Sequence, residues 1–153
     1  MKEIDTKLLD RLIDRAEKGS VTARIGYFDD SGNHPRTKKT AGDIATINHE
    51  GAPSKNIPER PWIKDGSIEA EFTTRRQAAK AYEEFQAGKI SLQKALQYPA
   101  NVQKFQIQTT HLQSAKFYPA NATSTIEWKG FDNPLHYQGW LYDKIDVKVY
   151  NGD

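Results

Sequence analysis

The longest regular pattern in the chain runs from Asp65 to Gln86, and it limits the fold more than any other feature. Ile68, Phe72, Arg75, Ala79, Tyr82 and Phe85 recur in steps of three and four, the period of one face of an α-helix and not of a strand. Ser67 with Ala70 resembles an N-terminal turn, and Gly88 supplies the stop. A second helical region follows. Ser91 can cap a short helix bearing Leu92, Ala95 and Leu96. Pro99 then either kinks this helix or opens another as its first residue, with Val102, Phe105, Thr109 and Leu112 in support. Pro119 and the run from Asn121 to Thr125 read as a loop.

The segment before the long helix is equally restrictive. Ile57-Pro58-Glu59-Arg60-Pro61-Trp62 cannot be a central strand, because its two prolines remove backbone donors and force an extended path. Such a segment holds Arg60 in a fixed direction, and Trp62 anchors it. It is read either as a stiff connector that positions the next helix or as a direct subunit contact.

Elsewhere the period alternates between two and three-to-four. Ile4, Leu8, Leu9, Leu12, Ile13 and Ala16 predict an amphipathic helix within residues 1–19, closed by Gly19. It packs on its own domain or docks on a neighbouring subunit. Val21, Ala23, Ile25 and Tyr27 alternate as a strand that ends in the turn chemistry of residues 29–33. His34 to Thr40 is a polar, basic loop. Thr40 can cap a helix carrying Ala41, Ile44, Ala45 and Ile47, which Gly51 and Pro53 break. Near the C-terminus, Ile126 to Trp128 reads as a short extended piece, and Gly139 as a break. Leu141 to Val149 is expected to be a strand with Leu141, Asp143, Ile145, Val147 and Val149 on one face. Asp143 is the misfit, and it fits better before the strand proper.

With 153 residues and no linker or repeat, the chain is expected to be one α+β domain over residues 1–153. A hydrophobic fraction of 37% and a mean hydropathy of −0.80 leave much surface relative to core, as suits an assembly component. Three Trp, seven Tyr and six Phe nevertheless provide enough anchors for an ordered fold. Lys and Arg (22) nearly balance Asp and Glu (20), which argues against a dedicated nucleic-acid or membrane binder. The absence of cysteine excludes disulfides and thiolate chemistry. The N-terminus lacks the apolar core of a signal peptide, and no run approaches a membrane span of ~20 apolar residues.

Residues that could carry catalysis do not converge in the sequence. His49-Glu50 opens like a zinc-peptidase motif, but position 53 is Pro where the second His must stand. His34, His111 and His136 have no companion at metal-binding spacing, and Asp29-Asp30 is a turn pair. No catalytic residue, cofactor site or metal site is expected. His111, beside Leu112, is read as a surface or satisfied core histidine.

Two blocks in order resemble the neck, or tail-completion, proteins of long-tailed bacteriophages. Ala45-Thr-Ile-Asn-His-Glu-Gly51 followed by Ile57-Pro-Glu-Arg-Pro-Trp62 is similar to one family motif. Thr125, Lys129-Gly130, Pro134-Leu135, Gly139, Leu141 and Ile145, closing on Val147 and Val149, are similar to the other. The likeness covers roughly residues 21–149. It implies an α+β fold with a small antiparallel sheet and an extended hairpin packed by several helices. It also implies a non-catalytic protein forming a homo-oligomeric ring, usually a hexamer, around the DNA channel. Its expected partners are the adaptor or connector on the head side and tail-tube or tail-terminator proteins on the other. Its expected location is the virion, with assembly in the host cytoplasm. The chain departs from the pattern at Tyr137-Gln138, where the family has Asp-Thr, at Lys144, where it has Ser, and at Glu50, where an aromatic is usual.

On this reading Arg60, Trp62, Trp128, Tyr137, Trp140 and Tyr142 are the expected interface residues, since more aromatics sit near the C-terminus than one short hairpin can bury. Arg36, Lys38 and Lys39 are the expected channel-facing cations, near DNA without recognising its sequence. The alternatives are a tail-terminator ring protein and, in another class, a small DNA-binding module or a hydrolase.

Overall fold

The computed structural model describes residues 21–136 and 139–151. The amphipathic helix expected within residues 1–19 lies outside them. Strand β1 (Val21–Gly26) opens the described chain, and strand β2 (Asp146–Asn151) closes it. The two pair antiparallel in a two-stranded sheet, in a register running from Val21↔Asn151 to Gly26↔Asp146. Everything else is inserted between them: helices α1 (Ala41–Glu50), α2 (Trp62–Gln86), α3 (Leu92–Leu112), α4 (Ser114–Phe117), α5 (Thr123–Lys129) and α6 (Trp140–Asp143). This is the expected α+β fold with a small antiparallel sheet packed by helices, but among the described residues the two strands form no extended hairpin, and the long hairpin is instead a pair of helices.

That hairpin, α2 against α3, is the backbone of the molecule. Its two helices are long enough to form because each begins at a defined stop. Pro61 precedes α2, and the Ser91 hydroxyl accepts the Lys94 N–H at 3.3 Å to cap α3. Small residues face the partner helix. Gly66, Ala70 and Ala81 are buried on α2, and Ala95, Pro99 and Ala100 on α3. At Gly66 the helices come so close that a Cβ would lie 2.7 Å from Ile107 Cα. Only glycine allows that crossing.

The core sits at the base of the hairpin. Ala41 and Ala45 from α1, Trp62 from α2, Ile107 from α3, Leu141 from α6 and Ile145 form it. Ile25, Tyr27, Ile44, Ile63, Tyr118, Leu135 and Trp140 pack around them. The sheet lies along α3. At one end Lys104 bonds Asp146 at 3.0 Å, and at the other Gln93 bonds Asn151 at 3.0 Å.

Several local expectations are corrected. Pro99 does not open a new helix, because α3 runs through it, with the ring buried. Lacking an N–H, it omits the bond that this turn would make to Ala95 O, and the tertiary packing of α3 carries the helix across that gap. Thr123 to Thr125 are not loop and Ile126 to Trp128 are not extended. They form α5, which Gly130 terminates at φ +79° with its N–H bonded to Ile126 O at 2.8 Å. Leu141 to Asp143 form the turn α6, so the final strand starts only at Asp146. Asp143 lies before it, as its misfit suggested. The Thr40 cap holds as expected: its hydroxyl accepts the Asp43 N–H at 3.0 Å, and the Asp43 carboxylate accepts the Thr40 N–H in return.

Candidate functional site

The residues singled out in the sequence fall into three groups, and the first of them is interior. Arg60 is 3% exposed and Trp62 is fully buried, so neither can contact a neighbouring subunit, contrary to expectation. The reason is the path of the connector. Gly51 at φ +75° lets the chain double back against Glu59, and the Ala52↔Ile57 bridge closes a tight turn with Asn56 left-handed. Arg60 N–H then reaches Asn48 O at 3.0 Å. Its guanidinium points inward, donating through Nε to Pro119 O at 3.1 Å and through Nη2 to Ala120 O at 3.1 Å. Nη1 faces Asn48 Oδ1 at 3.5 Å. Burial lowers the guanidinium pKa, and Asp132 nearby offsets part of that. Arg60 thus ties the end of α1 and the connector to the chain after α4. The stiff-connector reading is the correct one.

Trp62 fills the centre of the core, edge-on to His49 at 5.4 Å and to His111 at 5.8 Å between ring centroids. His111 is fully buried, and burial pushes its imidazole down to about 4, with the nearby positive charges of His136 and Lys129 acting the same way. It is a neutral core histidine at physiological pH.

The second group is the C-terminal aromatics, and the fold disperses them. Tyr137 lies outside the described residues. Trp140 is half-buried against the core with His34 edge-on at 4.8 Å, and Tyr142 is half-buried beside His111 at 6.1 Å. Trp128, at 45%, is the most exposed of the three described. The Arg36 guanidinium stacks over its ring at 4.4 Å from the centroid. His34, Arg36, Thr37, Ser124, Thr125 and Trp128 line a shallow cleft of about 310 Å³ there.

The third group is the basic loop. Arg36, Lys38 and Lys39 are all exposed on a turn closed by the Asn33↔Thr40 bridge and by the Lys38 N–H to His34 O bond at 2.9 Å. The Arg36 and Thr37 N–H groups also point at His34 Nδ1. Lys38 is left-handed at φ +58° as the chain turns back, and Lys39 O accepts the His34 N–H at 2.8 Å. Arg36 turns back to Trp128, so Lys38 and Lys39 carry the outward charge of this loop. No group of three or more potential metal ligands converges among the described residues. No described helix is long and apolar enough to cross a membrane.

The residues the sequence reading did not single out are on the hairpin. The apolar stripe that identifies α2 as a helix faces outward: Ile68 is 60% exposed, Phe72 78% and Tyr82 55%. On α3, Tyr98, Phe105 and Leu112 are exposed likewise, Phe105 to 67%. The signal was present as the competing stripe Gly66, Ala70 and Ala81, whose small side chains permit close helix contact and so claim the inward face. No protein-family model matches the chain, and no curated protein or solved structure matches it either.

Proposed function

We propose that this chain is a virion structural subunit of the neck or tail-completion type, which assembles as a homo-oligomeric ring and helps to join a phage head to its tail. The observation that carries the reading is the outward set of large apolar side chains on both long helices, above all Phe72 and Phe105. Side chains of this kind scattered singly are ordinary surface. Two such stripes, one on each outer face of a single hairpin, mark surfaces made to be covered. The motif resemblance around residues 45–62 and 123–149 points to the same class of protein. Arg60 and His111, both buried, act within the fold: Arg60 ties the connector to the chain after α4, and His111 packs against Trp62. Lys38 and Lys39, exposed on this turn, suit loose contact with a passing polyanion.

The experiment is reconstitution. The purified chain is added to separated phage heads and tails, and joined particles are counted by negative-stain electron microscopy. An increase in joined particles that depends on the chain is expected. Equal numbers with and without it would refute the reading.

A further inference from the structure

We infer that the ring closes through the helical hairpin, with the outer face of α2 on one protomer packed against the outer face of α3 on the next. This inference rests on the ring reading above and names its interface. The two stripes occupy different faces. On α2, Ile68, Phe72 and Tyr82 lie about half a turn from the Gly66, Ala70 and Ala81 face that meets α3. On α3, Ile107 and Thr110 turn toward α2, and Lys104 and Gln93 turn toward the sheet. Tyr98, Phe105 and Leu112 turn toward neither. A protomer with two different apolar faces makes a head-to-tail contact with a copy of itself, and such contacts generate rings when the rotation closes.

The stripes match in length, period and chemistry. Ile68, Arg75 and Tyr82 repeat at seven-residue steps, and so do Tyr98, Phe105 and Leu112. Each stripe is therefore about 21 Å long at ~1.5 Å per residue. When copies are related by rotation about an axis along the hairpin, α2 of one runs antiparallel to α3 of the next, as it does to its own. In that direction one register aligns all three steps: Ile68 with Leu112, Arg75 with Phe105, and Tyr82 with Tyr98. The guanidinium of Arg75, already held by Glu71 at 2.5 Å, then lies over an aromatic ring. Gln86 meets Lys94, and Glu83 comes within a turn of that lysine. At the ~150–250 Å² an aromatic side chain carries, the exposed fractions of these side chains place roughly 600 Å² of apolar surface in each junction. That is more than half of the ~1,000 Å² a specific interface needs, before any flanking polar contact. The result is a palisade in which α2 and α3 alternate around the ring.

The test uses the absence of cysteine from the chain. Full-length Tyr82→Cys and Tyr98→Cys proteins are oxidised separately and as a mixture. Only the mixture should yield a disulfide-linked dimer, joining position 82 to position 98. In parallel, Phe72→Glu and Phe105→Glu are each expected to raise the concentration for half-assembly by about tenfold or more in mass photometry. Both positions are exposed, so circular dichroism should stay unchanged. A disulfide formed by either single variant alone would indicate a two-fold contact and overturn the proposal. So would a cross-link between Leu8→Cys and Tyr98→Cys, which would assign the α3 stripe to the segment 1–20. Rings that persist in both Glu variants would overturn this interface while leaving the ring reading in place. A wild-type chain that is monomeric at every concentration and present once per joined particle would overturn both.

Discussion

His111 gives the fold a predictable sensitivity to acid. Its imidazole is enclosed by Trp62, Tyr142 and the chain around Leu135, and burial holds its pKa at about 4 against an ordinary 6.5. The unfolded chain therefore binds a proton at this residue between those two values, and the folded chain does not. Stability is complete above pH 6.5 and declines as pH falls toward 4. The difference amounts to about 3 kcal/mol at its limit, and about 2 kcal/mol is already lost at pH 5, at ~1.4 kcal/mol per pKa unit. The measurement is urea unfolding at intervals between pH 7.5 and 4.5, for the wild type and for His111→Gln. Subtracting the two curves removes carboxylates common to both proteins, including Asp30 and Asp146, whose pKa values are lowered by Lys148 and Lys104. The wild type should show the acid slope and His111→Gln should lack it, whatever the variant's stability at pH 7.5. Parallel curves for the two proteins would refute the assignment of a neutral buried imidazole.

Three further outcomes are expected. Arg60→Ala should destabilise the chain by about 3 kcal/mol in thermal unfolding, since it leaves Pro119 O and Ala120 O without their donors; Arg60→Lys should recover little, because a lysine lacks the planar fork that reaches both carbonyls. Gly66→Ala should destabilise by about 1–3 kcal/mol in urea, because the new methyl meets the Ile107 backbone, and the ~1 kcal/mol gain in helix propensity does not offset that. Gly130→Ala should cost about 1 kcal/mol from its left-handed φ alone, as nothing lies within 4 Å of the added methyl.

The sequence showed where the helices are more clearly than which way they face. Thr40 announced α1 through a capping box, and Gly88 and Ser91 separated α2 from α3, because these signals are local. Pro99 misled because the cost of an interior proline is local, whereas the packing that holds α3 together across it is tertiary. The run from Thr123 to Lys129 looked like loop because Ser and Thr prefer caps and turns to helix interiors, yet Gly130 was available to terminate a helix there. Facing is a tertiary property. Phe72 and Phe105 have the larger transfer free energy, but Gly66 opposite Ile107 permits an approach that larger residues forbid, so the small face turned inward. Arg60 was correctly read as fixed in direction, but the direction was not readable, since its acceptors Pro119 and Ala120 lie about sixty residues away in sequence. The exposed aromatic stripes were missed for the same reason: an exposed aromatic is recognisable only once the competing face is known to be filled.

The pairing of β1 with β2 also sets an order of events for folding. The α2–α3 hairpin makes its contacts across a five-residue connection, residues 87–91, so it can form early. The sheet joins residues more than a hundred positions apart, and closing so long a loop is entropically unfavourable until the intervening helices have condensed. The sheet is therefore the last element to form and the first to open. Between synthesis and completion of the sheet, the chain exists with its helical hairpin made and the face of α3 that the strands later cover still bare. A copy meeting it in that interval would find an open face, with unpaired strands beside it, in addition to the two apolar stripes. On the ring assembly proposed above, the rate of sheet closure, set against the rate of encounter, would decide whether copies join in rings or in irregular aggregates.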